Sequence, residues 1–223
     1  MWKGMKVVIF LGPSLKVEEA KKILDLAEYR SPAGRGDVAG AADEGFGIIG
    51  LVDGVFYQKT AVSPREILYA LKKGVKVVGG SSIGALRACE LDVYGMIGVG
   101  RIYRWYKEGV ISADDEVAVV FHPTTYQPLS EPLVNIRATL EALVSRGMIS
   151  QREEEIIINS AKEIPFHLRN YTRIIQKAIE KLGRERSRTV LDLLKRERID
   201  QKKLDAIEVL KRVRELMTAD GCV

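Results

Sequence analysis

The chain has 223 residues, of which 46% are hydrophobic and 29% charged, a composition typical of a globular protein with one large or two smaller cores. Its two cysteines, Cys89 and Cys222, lie far apart, which excludes a disulfide-stapled scaffold and a zinc-ribbon spacing. The apolar runs are strand-sized and no signal peptide is recognisable, so we expect a cytoplasmic protein without membrane spans.

The net charge of +5 arises in the C-terminal third. Residues 1–144 contain 17 basic and 17 acidic residues, whereas residues 145–223 contain 18 basic and 13 acidic ones. The sequence therefore predicts a core domain over 1–144 and a basic helical region over 145–223. Such a region is typical of a solvated, ion-paired surface or of a surface for an acidic protein partner, and we do not expect nucleic-acid binding. The candidate partner surface is Arg184, Arg186 and Arg188.

In chain order, apolar runs alternate with helical patterns. Residues 6–12 predict a strand, 16–29 a helix and 30–45 a loop. Residues 48–54 predict a second strand, and 63–74 a helix with Ser63 as N-cap and Gly74 at its end. A third strand over 76–80 precedes a helix over about 98–108 and a fourth strand over 116–122. From Pro132 onward the pattern is helical.

Strands that are apolar throughout and separated by helices predict a parallel sheet covered on both faces. The predicted fold class is α/β, with a parallel sheet of about four strands flanked by helices and an all-helical C-terminal extension. Sites in such sheets lie at the carboxyl ends of the strands. We expect three turns to converge there: Gly12-Pro13-Ser14, Asp53-Gly54 and Gly80-Ser81-Ser82.

Residues 77–91, VVGGSSIGALRACEL, join the third strand to a helix through two serines flanked by glycines. Gly80-Ser81-Ser82-Ile83-Gly84 matches G-x-S-x-G between a strand and a helix, the context of a serine nucleophile, with Ser82 at its centre. Glycines permit the tight turn, and free amides such as that of Ile83 are placed to hold an oxyanion. Two alternatives stay open: a serine caps the helix, or the amides bind a phosphate.

A serine nucleophile needs a base, and the sequence favours lysine over histidine. Neither His122 nor His167 stands in a recognisable order with an acid. A lysine serves as a base only where burial or a nearby cation favours its neutral form. We select Lys59 because it follows the strand end at Asp53, and Lys107 is the reserve.

Several further residues are candidates for supporting or binding roles. Asp53 either orients a base or caps a turn, and the Arg35-Gly36-Asp37 loop either closes over the site or forms an Arg–Asp-stabilised turn. Asp114-Asp115-Glu116 together with His122 forms a candidate cation site, but a turn before a strand is favoured, so we expect no metal and no cofactor. The remaining candidates are Ser14, Arg65 and Arg87.

Several long stretches together resemble the TfuA-like family. They are GPSL (12–15), GRGD (34–37), IIGLVDGVF (48–56), REILYALKKGVKVVGGSSIGALRACEL (65–91), YGMIGVGRIY (94–103), DDEVAVV (114–120) and SEPLVNIR (130–137). The resemblance covers about residues 6–140. It implies a partner of YcaO enzymes, which exchange a peptide backbone oxygen for sulfur, as in the thioglycine of archaeal methyl-coenzyme M reductase.

The resemblance also implies an activity. TfuA-like proteins are thought to release sulfide from a thiocarboxylated, ubiquitin-like (ThiS-like) sulfur carrier through a hydrolase-like Ser–Lys site. The family's serine falls on Ser82, where Ile83 replaces the more usual methionine. Its lysine does not carry over, because Pro64-Arg65 stands where many relatives have His-Lys, and an arginine cannot act as a general base.

Three functions follow. The first is a hydrolase acting on a protein thiocarboxylate. The second is a non-catalytic adaptor that recruits the carrier or the peptide substrate to YcaO. The third is a nucleotide- or phosphate-binding domain, which ranks last because the chain has neither G-x-G-x-x-G nor the Walker lysine pattern. Assembly into a homo-oligomer is left open.

Overall fold

A computed structural model describes residues 5–56 and 60–219, so Lys59 lies outside the described residues. The strands described there form one parallel sheet, which confirms the α/β fold class. Its order is β2-β1-β3-β4-β5, with β1 (Lys6–Phe10), β2 (Glu28–Arg30), β3 (Phe46–Leu51), β4 (Lys76–Gly79) and β5 (Ile97–Gly98).

Helices account for most of the remaining described residues. In chain order they are α1 (Val17–Lys21), α2 (Asp37–Asp43), α3 (Pro64–Lys72), α4 (Ile83–Leu91), α5 (Arg101–Lys107), α6 (Leu133–Ser145), α7 (Gln151–Lys162), α8 (Tyr171–Leu182), α9 (Arg184–Arg196) and α10 (Gln201–Ala219). Among the described residues, none of these helices is long and apolar enough to cross a membrane.

The sheet separates two apolar cores, which explains why its strands are apolar throughout. Along β1, Val8 and Phe10 join a core with α2, α3 and α4, whereas Val7 and Ile9 join a core with α1 and α10. Side chains alternate between the faces of a strand, so burial on both faces requires an unbroken apolar run. The C-terminal helix α10 is therefore part of the sheet structure.

The chain folds into two compact units. The first, here the sheet unit, runs to Ser112 and resumes at Lys202, and it contains the sheet and most of α10. The second, the helical unit, comprises Ala113–Gln201 and has a core of its own formed by α6 to α9. These bounds differ from the regions 1–144 and 145–223 drawn by composition and resemblance, because α6 belongs to the helical unit and α10 returns to the sheet.

Three local expectations are wrong. The predicted helix over 16–29 ends early at Lys21, and β2 follows within the same stretch. The predicted loop over 30–45 contains α2. The predicted strand over 116–122 is absent from the described residues, which show a 3₁₀ turn at Asp114–Glu116 and a single antiparallel bridge between Phe121 and Pro128. Val117 and Ala118, at the start of the apolar run, are buried without strand pairing.

Two helix predictions are confirmed. The helix over 63–74 is α3, where Ser63 and Glu66 form a reciprocal capping box and Gly74 adopts a φ of 83° after the last turn. The helix over about 98–108 corresponds to α5.

Candidate active site

Buried polar groups gather where the strand order changes direction, between β1 and β3. Open α/β sheets bind their ligands at such switch points, beyond the carboxyl ends of the strands. The Asp53 carboxylate, just after β3, accepts hydrogen bonds from the Gly12 amide (2.9 Å), the Ser14 amide (3.0 Å) and the Ser14 hydroxyl (2.6 Å). The Asp53 carboxylate thus binds backbone amides of the loop after β1 and links that loop to the end of β3.

A buried lysine from the C-terminal helix joins this group. Lys202 is only 3% exposed, and its Nζ lies 3.9 Å from Asp53 Oδ1. Its backbone carbonyl accepts a hydrogen bond of 2.8 Å from the Ser81 hydroxyl. Lysine is seldom fully buried, and a buried ionisable group beside a charged partner is a candidate for chemistry. Lys202 therefore links the Asp53 turn to the serine turn.

The turn between β4 and α4 holds Ser81 in an uncommon conformation. Its φ is 69°, in the left-handed region that non-glycine residues rarely adopt. The Ser82 amide donates to the Gly80 carbonyl at 2.8 Å, which closes a three-residue turn around Ser81. Strain of this kind persists only where the surroundings enforce it, and it concentrates at functional sites. Here the hydroxyl bond to Lys202 helps to enforce it.

The hydroxyl of Ser82 does not serve its own helix. Ser82 occupies the N-cap position of α4 and is 8% exposed, and within the described residues its side chain makes no capping hydrogen bond. The Ser81 hydroxyl is directed to Lys202 instead. The alternative in which a serine of this turn merely caps the helix is therefore wrong.

The glycines around the serines allow α4 to start against the strands. A Cβ on Gly84 would lie 1.8 Å from the Leu51 carbonyl oxygen, and one on Gly80 would lie 2.7 Å from the Val99 carbonyl oxygen. Among the described residues, the Ile83 amide has no backbone acceptor. An amide at a helix start without an intrahelical acceptor can donate to a group outside the helix.

The loop containing Arg35 and Asp37 is a turn stabilised by side-chain hydrogen bonds to its backbone amides. The Asp37 carboxylate accepts the Gly34 amide at 2.7 Å, and the buried Glu66 carboxylate accepts the Gly36 amide at 2.8 Å. Gly36 has a φ of 93°, which glycine adopts readily. These contacts support the stabilised-turn interpretation for Asp37 and leave Arg35 as an exposed residue of that turn.

Three further candidate residues from the sequence are Arg87, Arg65 and Lys107. Arg87 donates to the Val62 carbonyl at 2.8 Å and so ties α4 to the segment before α3. Arg65 is exposed in the first turn of α3. The reserve base Lys107 forms an ion pair with Asp92 at 2.6 Å. Within the part of the chain that the structure describes, these contacts of Arg87 and Lys107 do not involve the Ser82 turn.

The basic candidates in the helical unit differ among themselves. Arg186 donates to Glu153 at 2.5 Å and to the Met148 carbonyl at 2.8 Å, so it holds the unit together. Arg184 and Arg188 are exposed. Only these two of the three arginines present their charge outward.

The acidic run before the predicted strand also builds the helical unit. Asp115 pairs at 2.9 Å with Arg169, whose side chain is fully buried, and Glu116 accepts two bonds of 2.9 and 2.8 Å from Arg137. Arginines thus engage two of the three carboxylates, which fits the turn interpretation better than a cation site.

Sequence reasoning missed Lys202 because it stands in a basic helical stretch far from the motif. A signal was nevertheless present. Lys202, Ala206, Val209 and Val213 follow the i, i+4, i+7, i+11 spacing of one helix face, and the three apolar members are fully buried. A lysine on the apolar face of a helix is expected to be buried and to contact a polar group inside the protein.

The family model of TfuA-like proteins matches residues 53–170, more than half of the chain. The chain belongs to the TfuA-like family. The match begins at Asp53 and includes the Ser82 turn, whereas Ser14 and Lys202 lie outside it. No curated protein matches the chain. As a TfuA-like protein it is associated with YcaO-type peptide thioamidation, and its partner class is a YcaO enzyme.

Proposed function

We propose that this TfuA-like protein hydrolyses the thiocarboxylated C-terminus of a ubiquitin-like (ThiS-like) sulfur carrier and supplies the sulfide to a YcaO enzyme. The observation that carries the proposal is the buried Lys202 at the switch point, bound through its carbonyl to the turn that presents Ser82. A serine nucleophile with a lysine base is an established variant of the serine-hydrolase arrangement.

In the first step the Ser82 oxygen attacks the acyl carbon of the thiocarboxylate. Lys202 accepts the hydroxyl proton and passes it to the departing sulfur, so that the carbon–sulfur bond breaks and hydrosulfide leaves. The carrier is then esterified to Ser82. In this proposal the Ile83 amide, which has no backbone acceptor among the described residues, stabilises the negative charge of the tetrahedral intermediate.

In the second step water attacks the ester, and Lys202 accepts its proton. The proton returns to the Ser82 oxygen as the ester bond breaks, and the carrier leaves as a carboxylic acid that loses its remaining proton to solvent. In both steps a lysine accepts a proton only as the neutral amine, which burial favours and a nearby carboxylate disfavours. Asp53, held by Gly12 and Ser14, lies 3.9 Å from the Lys202 amine.

We further propose that the glycine of methyl-coenzyme M reductase that becomes thioglycine is the peptide substrate of the partner YcaO. The family resemblance alone supports this assignment. Thioamide formation in a reconstituted mixture of YcaO, this protein, the carrier and a peptide spanning that glycine tests it, with a peptide carrying alanine at the same position as control.

Sulfide release from a thiocarboxylated carrier tests the hydrolase proposal. We expect Ser82→Ala to reduce release by about a thousandfold or more while binding to YcaO persists, because a nucleophile has been removed and no core packing changed. Ser82→Cys, which keeps a nucleophile, should retain acylation. Wild-type release by Ser82→Ala would contradict the hydrolase and favour the adaptor.

A further inference from the structure

A buried carboxylate on the C-terminal helix α10 caps another helix of the sheet unit. Asp205 follows Lys202 by three residues, is fully buried, and accepts a hydrogen bond of 2.7 Å from the Ile102 amide at the start of α5. The first amides of a helix lack intrahelical acceptors, and the side chain of the N-cap residue usually supplies one. The N-cap residue of α5 is Gly100, which has no side chain. Asp205 supplies the acceptor instead, from 103 residues further along the chain.

The backbone at Gly100 makes room for this carboxylate. Gly100 has a φ of 90°, in the region that favours glycine, and a Cβ there would lie 2.5 Å from the carboxyl carbon of Asp205. Any other residue at position 100 would push the carboxylate away from α5. The turn before α5 is therefore shaped to the Asp205 side chain.

The same face of α10 also contacts the serine turn. The Ser81 hydroxyl donates to the Lys202 carbonyl, and a Cβ on Gly80 would lie 2.8 Å from Cγ2 of Val209. Lys202, Asp205 and Val209 follow the i, i+3, i+7 spacing of one helix face. All of these residues belong to the sheet unit, so the contacts lie within one compact body.

The bond between Asp205 and Ile102 defines where α10 lies along its own axis. Much of the buried surface of α10 is apolar and packs in the core below the sheet. Burial of apolar surface is non-directional, whereas a charge-assisted hydrogen bond has a defined length and direction. Moving α10 along its axis by one residue would shift Lys202 by about 1.5 Å and would break this bond inside the core. The bond therefore opposes such a shift.

We propose that Asp205 is a positioning residue, whose bond to the Ile102 amide fixes α10 along its axis and thereby places the Lys202 amine relative to Ser82. The proposal rests on the hydrolase function proposed above, in which Lys202 is the base. Asp205 acts through Lys202 and requires no contact with the carrier. Misplacement of a catalytic group by about 1 Å is enough to reduce turnover about a hundredfold.

Two substitutions of Asp205 separate its hydrogen bond from its charge. Asp205→Ala removes the acceptor of the Ile102 amide, whereas Asp205→Asn keeps an acceptor oxygen without the charge. We expect Asp205→Ala to lower kcat for sulfide release about 10- to 100-fold with KM for the carrier within about twofold, and Asp205→Asn to keep kcat within about threefold. Wild-type kcat in Asp205→Ala would overturn the proposal. An equal loss in both variants would also overturn it, because the charge rather than the bond would then matter.

A matched control on the same helix separates positioning from general loss of stability. Val213 lies about two turns beyond Asp205 and is fully buried in the apolar core. We expect Val213→Ala to lower the melting temperature and to leave kcat of the folded protein within about twofold. An equal loss of kcat in Val213→Ala and Asp205→Ala would attribute the effect to destabilisation and overturn the proposal. Gly100→Ala, whose Cβ displaces the carboxylate, provides a second variant with the same expected loss of kcat if Asp205→Ala does not fold.

A readout independent of hydrolysis keeps this proposal separate from the proposed function. Acetylation of lysine amines, mapped by peptide mass spectrometry, should modify the buried Lys202 much more slowly than the neighbouring Lys203 in the wild type. We expect the labelling rate of Lys202 to rise severalfold in Asp205→Ala and to stay low in Asp205→Asn and Val213→Ala. Unchanged labelling in Asp205→Ala would overturn the positioning role, even if Ser82 were shown to be the nucleophile. Failure of the hydrolase function would instead appear as wild-type sulfide release by Ser82→Ala, so the two failures are distinguishable.

Discussion

Buried charges are used differently in the two units. In the helical unit, Arg169 donates to three backbone carbonyls and to the Asp115 carboxylate, and Arg137 makes two parallel bonds to Glu116. In the sheet unit, the Asp53 oxygens accept amides and a hydroxyl, and the Lys202 amine lies 3.9 Å away, beyond a normal hydrogen bond.

We interpret this difference as one between charged groups that stabilise the fold, in the helical unit, and charged groups that take part in the proposed reaction, in the sheet unit. In a bidentate arginine–carboxylate pair, the guanidinium group donates two hydrogen bonds to the carboxylate. Removing one partner leaves an uncompensated buried charge. Asp53 keeps three other hydrogen bonds when the lysine is removed. Changes in the helical unit should therefore affect stability first, and changes at the sheet edge should affect activity first.

The largest effect on activity after Ser82 itself is expected at Lys202. Lys202→Met keeps the length and apolar packing of the side chain but removes the base, and general base catalysis is worth about 10²- to 10⁴-fold. Sulfide release should fall by that factor while the circular dichroism spectrum is retained. Lys203→Met, which removes an ion pair with Glu19 that is about 40% exposed, is the control and should stay within about twofold.

Gly84→Ala tests how closely α4 approaches the strand. Its Cβ would meet the Leu51 carbonyl oxygen at 1.8 Å, and this backbone atom has no flexible side chain to move aside. We expect a loss of about 3 kcal/mol or more in the free energy of unfolding, since the helix start must shift. Gly40→Ala in α2, where a Cβ meets nothing within 4 Å, should be neutral or stabilising by up to about 1 kcal/mol. Equal stability of the two variants in urea titrations would contradict the geometry of the turn.

Glu131 predicts a pH dependence of stability in the helical unit. Burial raises the pKa of its carboxyl from 4.5 to about 7, against the lowering effect of Arg198 and Asn135. A raised folded-state pKa stabilises the fold below about pH 4.5, and this contribution is lost as the pH rises through 7. Urea unfolding should show a loss of about 3 kcal/mol at most over that window, and Glu131→Gln should flatten the profile. A wild-type profile that rises over the same range would contradict the assignment.

The smallest effect concerns the exposed arginines of the helical unit. Charge reversal at Arg184 and Arg188 should weaken binding to an acidic partner by about three- to tenfold at low salt, with less effect at high salt. The melting temperature should not change. Arg186→Glu should instead lower it, because Arg186 binds Glu153 and the Met148 carbonyl. Calorimetric titration with YcaO and with the carrier measures the binding arm, and a loss of stability in the double variant would contradict the distinction.

The sequence predicts well those structural features that depend on the local pattern of residues. The unbroken apolar runs of β1, β3 and β4 identify a sheet buried on both faces, and the glycines around Ser81 and Ser82 identify a tight strand-to-helix turn. The short helix α1 and the strand β2 share one amphipathic stretch, and only the neighbouring strand β1 decides where one ends and the other begins. Local pattern does not contain that information.

Within the site, Lys202 shows the same limit of prediction from local pattern. Asp53 and Ser14 could be placed from their positions after strands. The lysine comes from more than 100 residues later, after the whole helical unit, and it reaches the serine turn only because α10 returns to the sheet. The sequence-based choice of Lys59 lies outside the described residues, so its role remains a prediction.

The most direct test of the proposed chemistry is to identify the residue that carries the acyl group during turnover. Wild-type protein mixed with thiocarboxylated carrier should be quenched in acid within the first turnover and mapped by mass spectrometry. We predict an ester between the carrier's C-terminus and the peptide containing Ser82, formed together with one equivalent of sulfide. Attachment of the carrier to a different residue, with sulfide released at the same rate, would contradict Ser82 as the nucleophile.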